Sequence, residues 1–155
     1  MDSYPEPPTG RIEGRRHLFP VRVYYEDTDL SGIVYHANYL KYCERARSDI
    51  LRCLGIDQRA AVEAGLGAYA VADAQILWKR PARLDDCLVV ETRASELKAA
   101  SIRMVQHIVR PGEGTAQLLA EVSIRIGFIS SAGRAKRQPE EWRQIFEHFI
   151  EKDPE

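Results

Sequence analysis

The sequence lacks the features that would place the protein in a membrane or on nucleic acid. Its 155 residues contain no uninterrupted apolar run long enough to cross a bilayer, and the N-terminus has no apolar signal-peptide core. Lysine and arginine number 22 against 23 aspartates and glutamates, so a net charge of -1 gives no general attraction to nucleic acid. We therefore predict a cytoplasmic protein with no membrane span and no nucleic-acid partner.

Cysteine is also scarce, and no cofactor motif is present. The three cysteines, Cys43, Cys53 and Cys87, form no CxxC pair, and their odd number argues against a disulfide framework. Cys43 and Cys53 fall on a helical pattern, where we interpret them as small buried hydrophobic residues. The sequence has no glycine-rich phosphate loop and no dinucleotide-binding fingerprint, so no bound cofactor is predicted.

The distribution of residue types predicts one domain behind a tail. Residues 1–16 are polar and contain three prolines and two glycines, which predicts a flexible N-terminal tail. Residues 17–150 are enough for a single domain with a real core. The elements predicted inside this domain are a strand over 17–25, a helix over 38–54, a short helix over 57–64, strands over 68–79, 87–97, 100–110 and 116–129, and a short C-terminal helix after Pro139.

This order of elements predicts an α+β fold. One strand and one long helix are followed by four consecutive strands, a sequence of elements typical of a helix packed on an antiparallel sheet. The long helix carries one apolar stripe at spacings of three and four residues. We therefore expect that helix to lie across one face of the sheet.

The residues best suited to catalysis lie between the first strand and the long helix. Residues 25–39 place several carboxylates, a glycine, a histidine and an asparagine directly before the helix. A carboxylate can act as a base or a nucleophile, and the unpaired N–H groups of a first helical turn can polarise a carbonyl. This combination suits hydrolysis of an activated acyl group. The structural alternative for the central carboxylate, Asp29, is a residue that caps the helix or the turn.

The same acidic stretch raises the alternative of a metal site. Glu26, Asp27 and Asp29 are three acids in four positions, but they lack the alternation of a calcium-binding loop, and His36 is the one imidazole nearby. We therefore predict no metal. Instead, we expect Asp27 to order the loop through hydrogen bonds to the backbone, and Glu26 to be solvated or paired.

These residues resemble the hotdog-fold acyl-CoA thioesterases. Within that family they are similar to the small bacterial thioesterases found with Tol–Pal genes (YbgC type), to which the 4-hydroxybenzoyl-CoA thioesterases are related. The resemblance spans roughly residues 17–139. It is carried by residues 26–29, 32–36, 38–40 and 44–47, and by the weaker match at residues 80–86.

The resemblance implies a fold, an assembly and a reaction. The implied fold is a five-stranded antiparallel sheet wrapped around the long helix. The implied assembly is a homodimer with sheets joined edge to edge, or a homotetramer, and the active site lies at the dimer interface. Asp29 would be the catalytic nucleophile or general base, and a backbone N–H near His36 would polarise the thioester carbonyl. Coenzyme A would be part of the substrate, and acyl carrier protein is the alternative carrier.

Further residues are predicted to bind the substrate. Gly32 would allow the chain to approach the ligand closely. Tyr25, Tyr35 and Tyr39 could line an acyl pocket, with core packing as the alternative. The phosphates of coenzyme A require basic side chains near the pocket. The alternative for each basic residue is that it is simply a solvated charge on the surface. The basic candidates are Lys79, Arg80, Arg83, Arg134, Lys136 and Arg137, of which Arg80, Arg83 and Lys136 are the predicted contacts.

Three alternatives stay open at this point. Glu44 on the helix could replace Asp29 as the catalytic carboxylate, although we expect it to form a structural pair with Arg47 or Ser48. Asp29 and His36 could instead serve a hydratase or dehydratase acting on acyl thioesters. The third alternative is a non-catalytic protein that binds acyl carriers, because the basic residues 134–137 could meet an acidic carrier.

Overall fold

Six antiparallel strands form one sheet in the computed structural model, which describes residues 3–150. The strand order across the sheet is β1-β2-β4-β5-β6-β3. The strands are β1 (Arg11–Glu13), β2 (Arg16–Arg22), β3 (Ala68–Trp78), β4 (Cys87–Leu97), β5 (Ser101–Arg110) and β6 (Gln117–Ile129). The helices are α1 (Asn38–Cys53), α2 (Gln58–Glu63) and α3 (Glu140–Phe149), and a single 3-10 turn covers Tyr25–Asp27.

Helix α1 lies against one face of this sheet because its apolar side chains share one side. Tyr42, Cys43, Ala46 and Ile50 recur at spacings of three and four residues and are fully buried. Alternate residues of the central strands meet them, and these are Val90, Ile102, Met104, Ile108, Val122 and Ile124. The predicted α+β arrangement of a long helix across an antiparallel sheet is confirmed.

The sheet has one strand more than predicted, because residues 11–13 form β1 inside the segment assigned to a flexible tail. Gly14, with φ of +61°, turns the chain so that β1 pairs with β2. The Gly10 N–H donates to the Asp49 carboxylate of α1 (2.9 Å) and fixes the start of this hairpin. A Cβ at Gly10 would lie 2.3 Å from the Leu18 carbonyl oxygen, so the approach requires glycine.

The first predicted strand is shorter than expected. β2 ends at Arg22, whereas the prediction extended the strand to residue 25. Tyr25 instead begins the 3-10 turn, because the Asp27 side chain accepts the Tyr24 N–H (2.8 Å) and curls the backbone away from the sheet. The turn directs the chain toward the start of α1.

Strand β3 is the exposed edge of the sheet. It pairs with β6 on one side, and within residues 3–150 no strand pairs with its other side. Residues 71–75 are all exposed, and Leu77 and Trp78 at the end of the strand are about half exposed. An eleven-residue strand with an open row of N–H and C=O groups is a template for pairing with another chain.

Helix α3 packs against the sheet near the beginning of β3, where Trp142 and Phe146 contact Tyr69. Its aromatic residues Phe146 and Phe149 are buried, and Trp142 packs against Phe128 of β6 with ring centroids 5.7 Å apart. None of the helices in the described part of the chain combines the length and the apolar character needed to cross a membrane.

Candidate active site

The β2–α1 loop (residues 23–37) is held together by Asp27, which is buried. The Asp27 carboxylate accepts a hydrogen bond from the Tyr24 N–H (2.8 Å). The Asp27 backbone carbonyl accepts the Tyr35 N–H (2.9 Å) and the Asn38 side-chain N–H (2.8 Å). These bonds tie both ends of the loop to one residue, and the prediction that Asp27 orders the loop is confirmed.

Asp29 lies at the exposed tip of the same loop. Its N–H donates to the Ile33 carbonyl (3.0 Å), and the Gly32 N–H donates to the Asp29 carbonyl (3.0 Å), which closes a tight turn. Gly32 has φ of +81°, where glycine is favoured. The carboxylate Oδ1 accepts the Ser31 N–H (2.8 Å) and the Ser31 hydroxyl, whereas Oδ2 has no partner among the described residues. Asp29 therefore stabilises the turn with one oxygen and leaves the other available.

The surroundings of Asp29 favour its charged form. The hydrogen bond from the Ser31 hydroxyl is the largest cause that holds the pKa of Asp29 below its ordinary value of 3.8, followed by the bond from the Ser31 N–H. The charge of the nearby His36 lowers the pKa of Asp29 further. The carboxylate is thus ionised at neutral pH, which is the form that acts as a base or a nucleophile.

The start of α1 offers unpaired hydrogen-bond donors. Within residues 3–150, the N–H groups of His36 and Ala37 have no acceptor, and no side chain caps the helix. The Asn38 N–H donates to the Tyr35 carbonyl (2.9 Å) and begins the helical pattern. Free N–H groups at the positive end of a helix dipole are suited to polarise a carbonyl oxygen. The start of α1 therefore has an unpaired N–H group at His36, which is the kind of donor that the role expected of His36 requires.

One aromatic side chain that the sequence analysis did not single out contacts this turn. The indole N–H of Trp78, at the end of β3, donates to the His36 carbonyl oxygen (3.1 Å). The rings of His36 and Trp78 meet edge to face with centroids 5.8 Å apart. Trp78 lies near the end of a predicted strand, but the partners are 42 positions apart in the sequence, so no local pattern predicts their contact.

The three candidate tyrosines occupy different environments. Tyr25 is 82% exposed and Tyr35 is 45% exposed, so both present ring surface beside the loop. Tyr39 is only 2% exposed, and its hydroxyl accepts the Ala82 N–H (3.1 Å). The structure thus places Tyr39 beneath the site, where it joins α1 to the segment after β3.

The predicted basic contacts lie at two separate places in one chain. Arg83 follows β3 and forms an isolated antiparallel bridge with Ile33 of the loop, and Arg80 lies three residues earlier. The Lys136 ammonium group instead donates to the Leu66 carbonyl, near the beginning of β3. The two ends of this eleven-residue strand are roughly 33 Å apart. Within a single chain Arg83 therefore contacts the loop, with Arg80 three residues before it, whereas Lys136 lies at the other end of β3.

Glu44 is engaged in an ion pair. Its exposed carboxylate binds the Arg47 guanidinium one turn further along α1, as expected for the structural alternative. Arg47 is buried and also donates to the Gln106 side-chain oxygen of β5 (2.8 Å). Gln106 donates in turn to the Thr92 hydroxyl and to the Cys43 carbonyl. This network anchors α1 to the sheet.

A second polar cluster, outside the loop, contains His17, Asp49 and Cys53. Their potential ligand atoms lie within 4.8 Å of one another, and Cys53 is exposed rather than buried as predicted. The His17 Nε2 and Asp49 Oδ2 atoms are 2.6 Å apart, a hydrogen-bond distance, and His17 Nδ1 has no partner. A histidine that binds a metal ordinarily donates its other N–H to an acceptor. Burial is the main cause that lowers the pKa of His17, so the geometry fits a neutral imidazole that donates to Asp49.

Comparison with known proteins shows the family of the chain. The family model of the thioesterase-like superfamily matches residues 23–147. The acyl-CoA thioesterase YbgC of Haemophilus influenzae is 39% identical over 133 residues, which are 84% of this chain and 94% of that protein.

Solved structures give the same result. A probable thioesterase from Bartonella henselae is 38% identical, with a TM-score of 0.73 over 80% of this chain and 99% of that chain. A 4-hydroxybenzoyl-CoA thioesterase complexed with 4-hydroxybenzoyl-CoA is 22% identical, with a TM-score of 0.77 over 84% of this chain and 98% of that chain, and shows the shared fold. The predicted hotdog fold is confirmed, with β1 as an additional strand. The chain belongs to the thioesterase-like superfamily of hotdog-fold proteins.

Proposed function

We propose that this protein hydrolyses acyl-CoA thioesters to the free acid and coenzyme A. The observation that carries the proposal is the arrangement of the β2–α1 loop. It combines an ionised, exposed Asp29 with unpaired N–H groups at the start of α1. Relatives named acyl-CoA thioesterases and thioester hydrolases support this choice of substrate class.

In the proposed reaction the thioester carbonyl oxygen accepts a hydrogen bond from the His36 N–H. This bond stabilises the negative charge that develops on the oxygen, and loss of one such donor typically raises the barrier by about 3 kcal/mol. Asp29 Oδ2 attacks the carbonyl carbon, which gives a mixed anhydride and releases the coenzyme A thiolate, and water then hydrolyses the anhydride. In the alternative route, Asp29 removes a proton from the water that attacks the carbonyl carbon.

We also propose that two chains pair through the free edge of β3, as a homodimer or as half of a homotetramer. Two-fold pairing is antiparallel, so the beginning of one β3 lies beside the end of the other. Lys136, near the beginning of β3, would then approach the Asp29 loop of the second chain. This pairing would unite the three basic residues, Arg80, Arg83 and Lys136, around the phosphates of coenzyme A.

The acyl group would lie beside Gly32 and the exposed rings of Tyr25 and Tyr35. In this arrangement Tyr39 supports the site from beneath through its hydrogen bond to Ala82. Acyl carrier protein is the alternative carrier of the acyl group. A cytoplasmic location and the absence of any cofactor other than the substrate's own coenzyme A stay predictions.

The test is release of free thiol from short, long and aromatic acyl-CoAs and from an acyl carrier protein thioester. We expect wild-type turnover of at least one acyl-CoA, and a decrease of at least about 100-fold in Asp29→Asn, which keeps the shape but loses the basic carboxylate. Glu26→Gln is the matched control, because Glu26 is exposed in the same loop and is expected to leave turnover unchanged.

Three outcomes would contradict parts of the proposal. No thiol release from any substrate by folded protein would exclude the thioesterase. Turnover that survives in Asp29→Asn would exclude the role of Asp29 and direct attention to Glu44. Hydration of crotonyl-CoA without thiol release would identify a hydratase.

A further inference from the structure

We propose that Trp78 is a positioning residue for the thioesterase site, acting through the backbone of His36. The inference rests on the proposed function, since it assigns a purpose to the turn that presents the His36 N–H. Trp78 does not touch the reacting atoms in this scheme. Its indole N–H holds the turn in the orientation that the carbonyl of the substrate requires.

The contact joins two elements that are far apart in sequence. The Trp78 Nε1–H donates to the His36 carbonyl oxygen at 3.1 Å, and the two rings lie edge to face at 5.8 Å. The His36 ring is packed on its other neighbour, Tyr35, with centroids 4.3 Å apart. Three aromatic side chains thus form a row beside the start of α1, and the last of them, Trp78, belongs to strand β3 of the sheet.

Trp78 is itself held firmly. It pairs with Ala120 of β6, and the next residue, Lys79, donates its N–H to the Leu119 carbonyl (2.8 Å). Trp78 shares a face of β3 with Ile76, which packs against the core. The indole N–H therefore extends from a fixed strand end toward the His36 backbone, whose carbonyl accepts no other hydrogen bond among the described residues.

The peptide that joins His36 and Ala37 has this bond as its restraint. Ala37 precedes α1 without a side-chain cap. Among the described residues, the indole N–H makes the single side-chain hydrogen bond to the backbone of residues 35–37. The N–H and the carbonyl of His36 belong to peptide planes that share one Cα atom. The indole bond fixes the plane of the peptide that joins His36 and Ala37, which carries the Ala37 N–H, and so holds the His36 Cα to which the peptide with the His36 N–H is attached.

The direct test is the variant Trp78→Phe, which keeps an aromatic ring and removes the N–H donor. We expect kcat to fall about 10-fold while KM changes by less than about 3-fold, because the lost restraint affects the transition state more than substrate binding. Trp142→Phe is the matched control, since the other tryptophan packs on Phe128 and Tyr69 near α3 and is expected to leave kcat unchanged. A Trp78→Phe enzyme with wild-type kcat overturns the proposal.

A second measurement on the wild type does not depend on a folded Trp78 variant. Two indole N–H signals are expected in a ¹⁵N spectrum of the protein, and Trp142→Phe assigns them. The Trp78 signal is expected to exchange with water at least about 10-fold more slowly than a free indole, although the side chain is half exposed. Exchange as fast as that of free tryptophan would show that the Trp78 hydrogen bond is absent and would overturn the proposal.

The two proposals fail in different ways. Absence of thiol release from the wild type removes the proposed function and this role together. Wild-type turnover with an unchanged kcat in Trp78→Phe removes the role of Trp78 alone. Equal losses in Trp78→Phe and Trp142→Phe would show a general effect on the fold and would also overturn the positioning role.

Discussion

At the scale of single residues, Ser31 lowers the pKa of the candidate catalytic group, Asp29. Its hydroxyl and its N–H both donate to one carboxylate oxygen of Asp29, and they are the two largest causes of the lowered pKa. A lowered carboxyl pKa means that the ionised form persists as the pH falls. Activity that needs this carboxylate is therefore retained at and below pH values where an unassisted aspartate begins to protonate.

We predict that Ser31→Ala moves the acidic limb of the kcat/KM profile to higher pH. The variant loses the hydroxyl donor, so the pKa of Asp29 rises toward its ordinary value of 3.8, while activity near pH 7 is unchanged. The measurement is the rate of thiol release between about pH 3.5 and 7. Ser131→Ala, at an exposed serine in another turn, is the control. Superimposable profiles for Ser31→Ala and wild type would contradict the assignment of this limb to Asp29.

The sequence predicts the residue types of the site better than their contacts. Asp29 and His36 are candidates because of an uninterrupted stretch of sequence, and Asp27 is assigned to loop order on the same basis. The contact of Trp78 depends on pairing between β3 and β6 and on the position of α1, which no local pattern contains. The distance of Lys136 from the loop depends on that arrangement too.

At the scale of elements, the buried network under α1 determines how the helix is attached to the sheet. Arg47 is 7% exposed and Gln106 is fully buried, and the Gln106 side-chain oxygen has the Arg47 guanidinium as its hydrogen-bond partner. Other side chains cannot easily replace Gln106, because its amide group also donates hydrogen bonds to the Thr92 hydroxyl and to the Cys43 carbonyl. Removing one member leaves buried polar groups without partners.

We predict that Gln106→Leu lowers the free energy of unfolding by about 2 kcal/mol, because the buried guanidinium loses a partner. The double variant Arg47→Met/Gln106→Leu is expected to recover a large part of that loss, since an apolar pair leaves fewer unsatisfied groups. Urea denaturation of the wild type, both single variants and the double variant measures the coupling. Strictly additive effects would show that the two side chains do not act together.

Local patterns predict most of the elements but not all. The boundaries of α1 and of β3 to β6 agree with the prediction within a residue or so, because each has a clear apolar period. β1 was missed in a polar segment because its position depends on the bond from Gly10 to Asp49, 39 residues away. β2 ends early because the Asp27 side chain accepts the Tyr24 N–H, which turns the backbone away from the sheet.

At the scale of the whole molecule, the open edge of β3 is the feature on which the proposed pairing of two chains rests. The Lys79 N–H donates to β6 (2.8 Å to the Leu119 carbonyl), and N–H groups alternate between the two sides of a strand. The Gln75 N–H therefore faces β6, and the Ala74 N–H faces the open edge. These neighbours allow a matched pair of substitutions.

We predict that Ala74→Pro gives a folded monomer, because it removes a donor from the open edge and spares the ladder with β6. Gln75→Pro removes a bond inside the ladder and is expected to lower the free energy of unfolding by about 2 kcal/mol. Light scattering measures the mass of the wild type and of each variant, and thermal unfolding measures stability. A wild-type protein that is monomeric at high concentration, or a dimeric Ala74→Pro variant, would contradict pairing through β3.

The strand order also has a consequence for synthesis. β3 precedes β4, β5 and β6 in the chain, yet its partner is β6, so β3 cannot enter the sheet until residue 129 has been made. β4, β5 and β6 follow one another in the chain and can pair as neighbours before β3 has a partner. A nascent chain interrupted before β6 therefore exposes β3 along both edges. Such fragments, rather than the finished domain, are the form of this protein most open to aggregation.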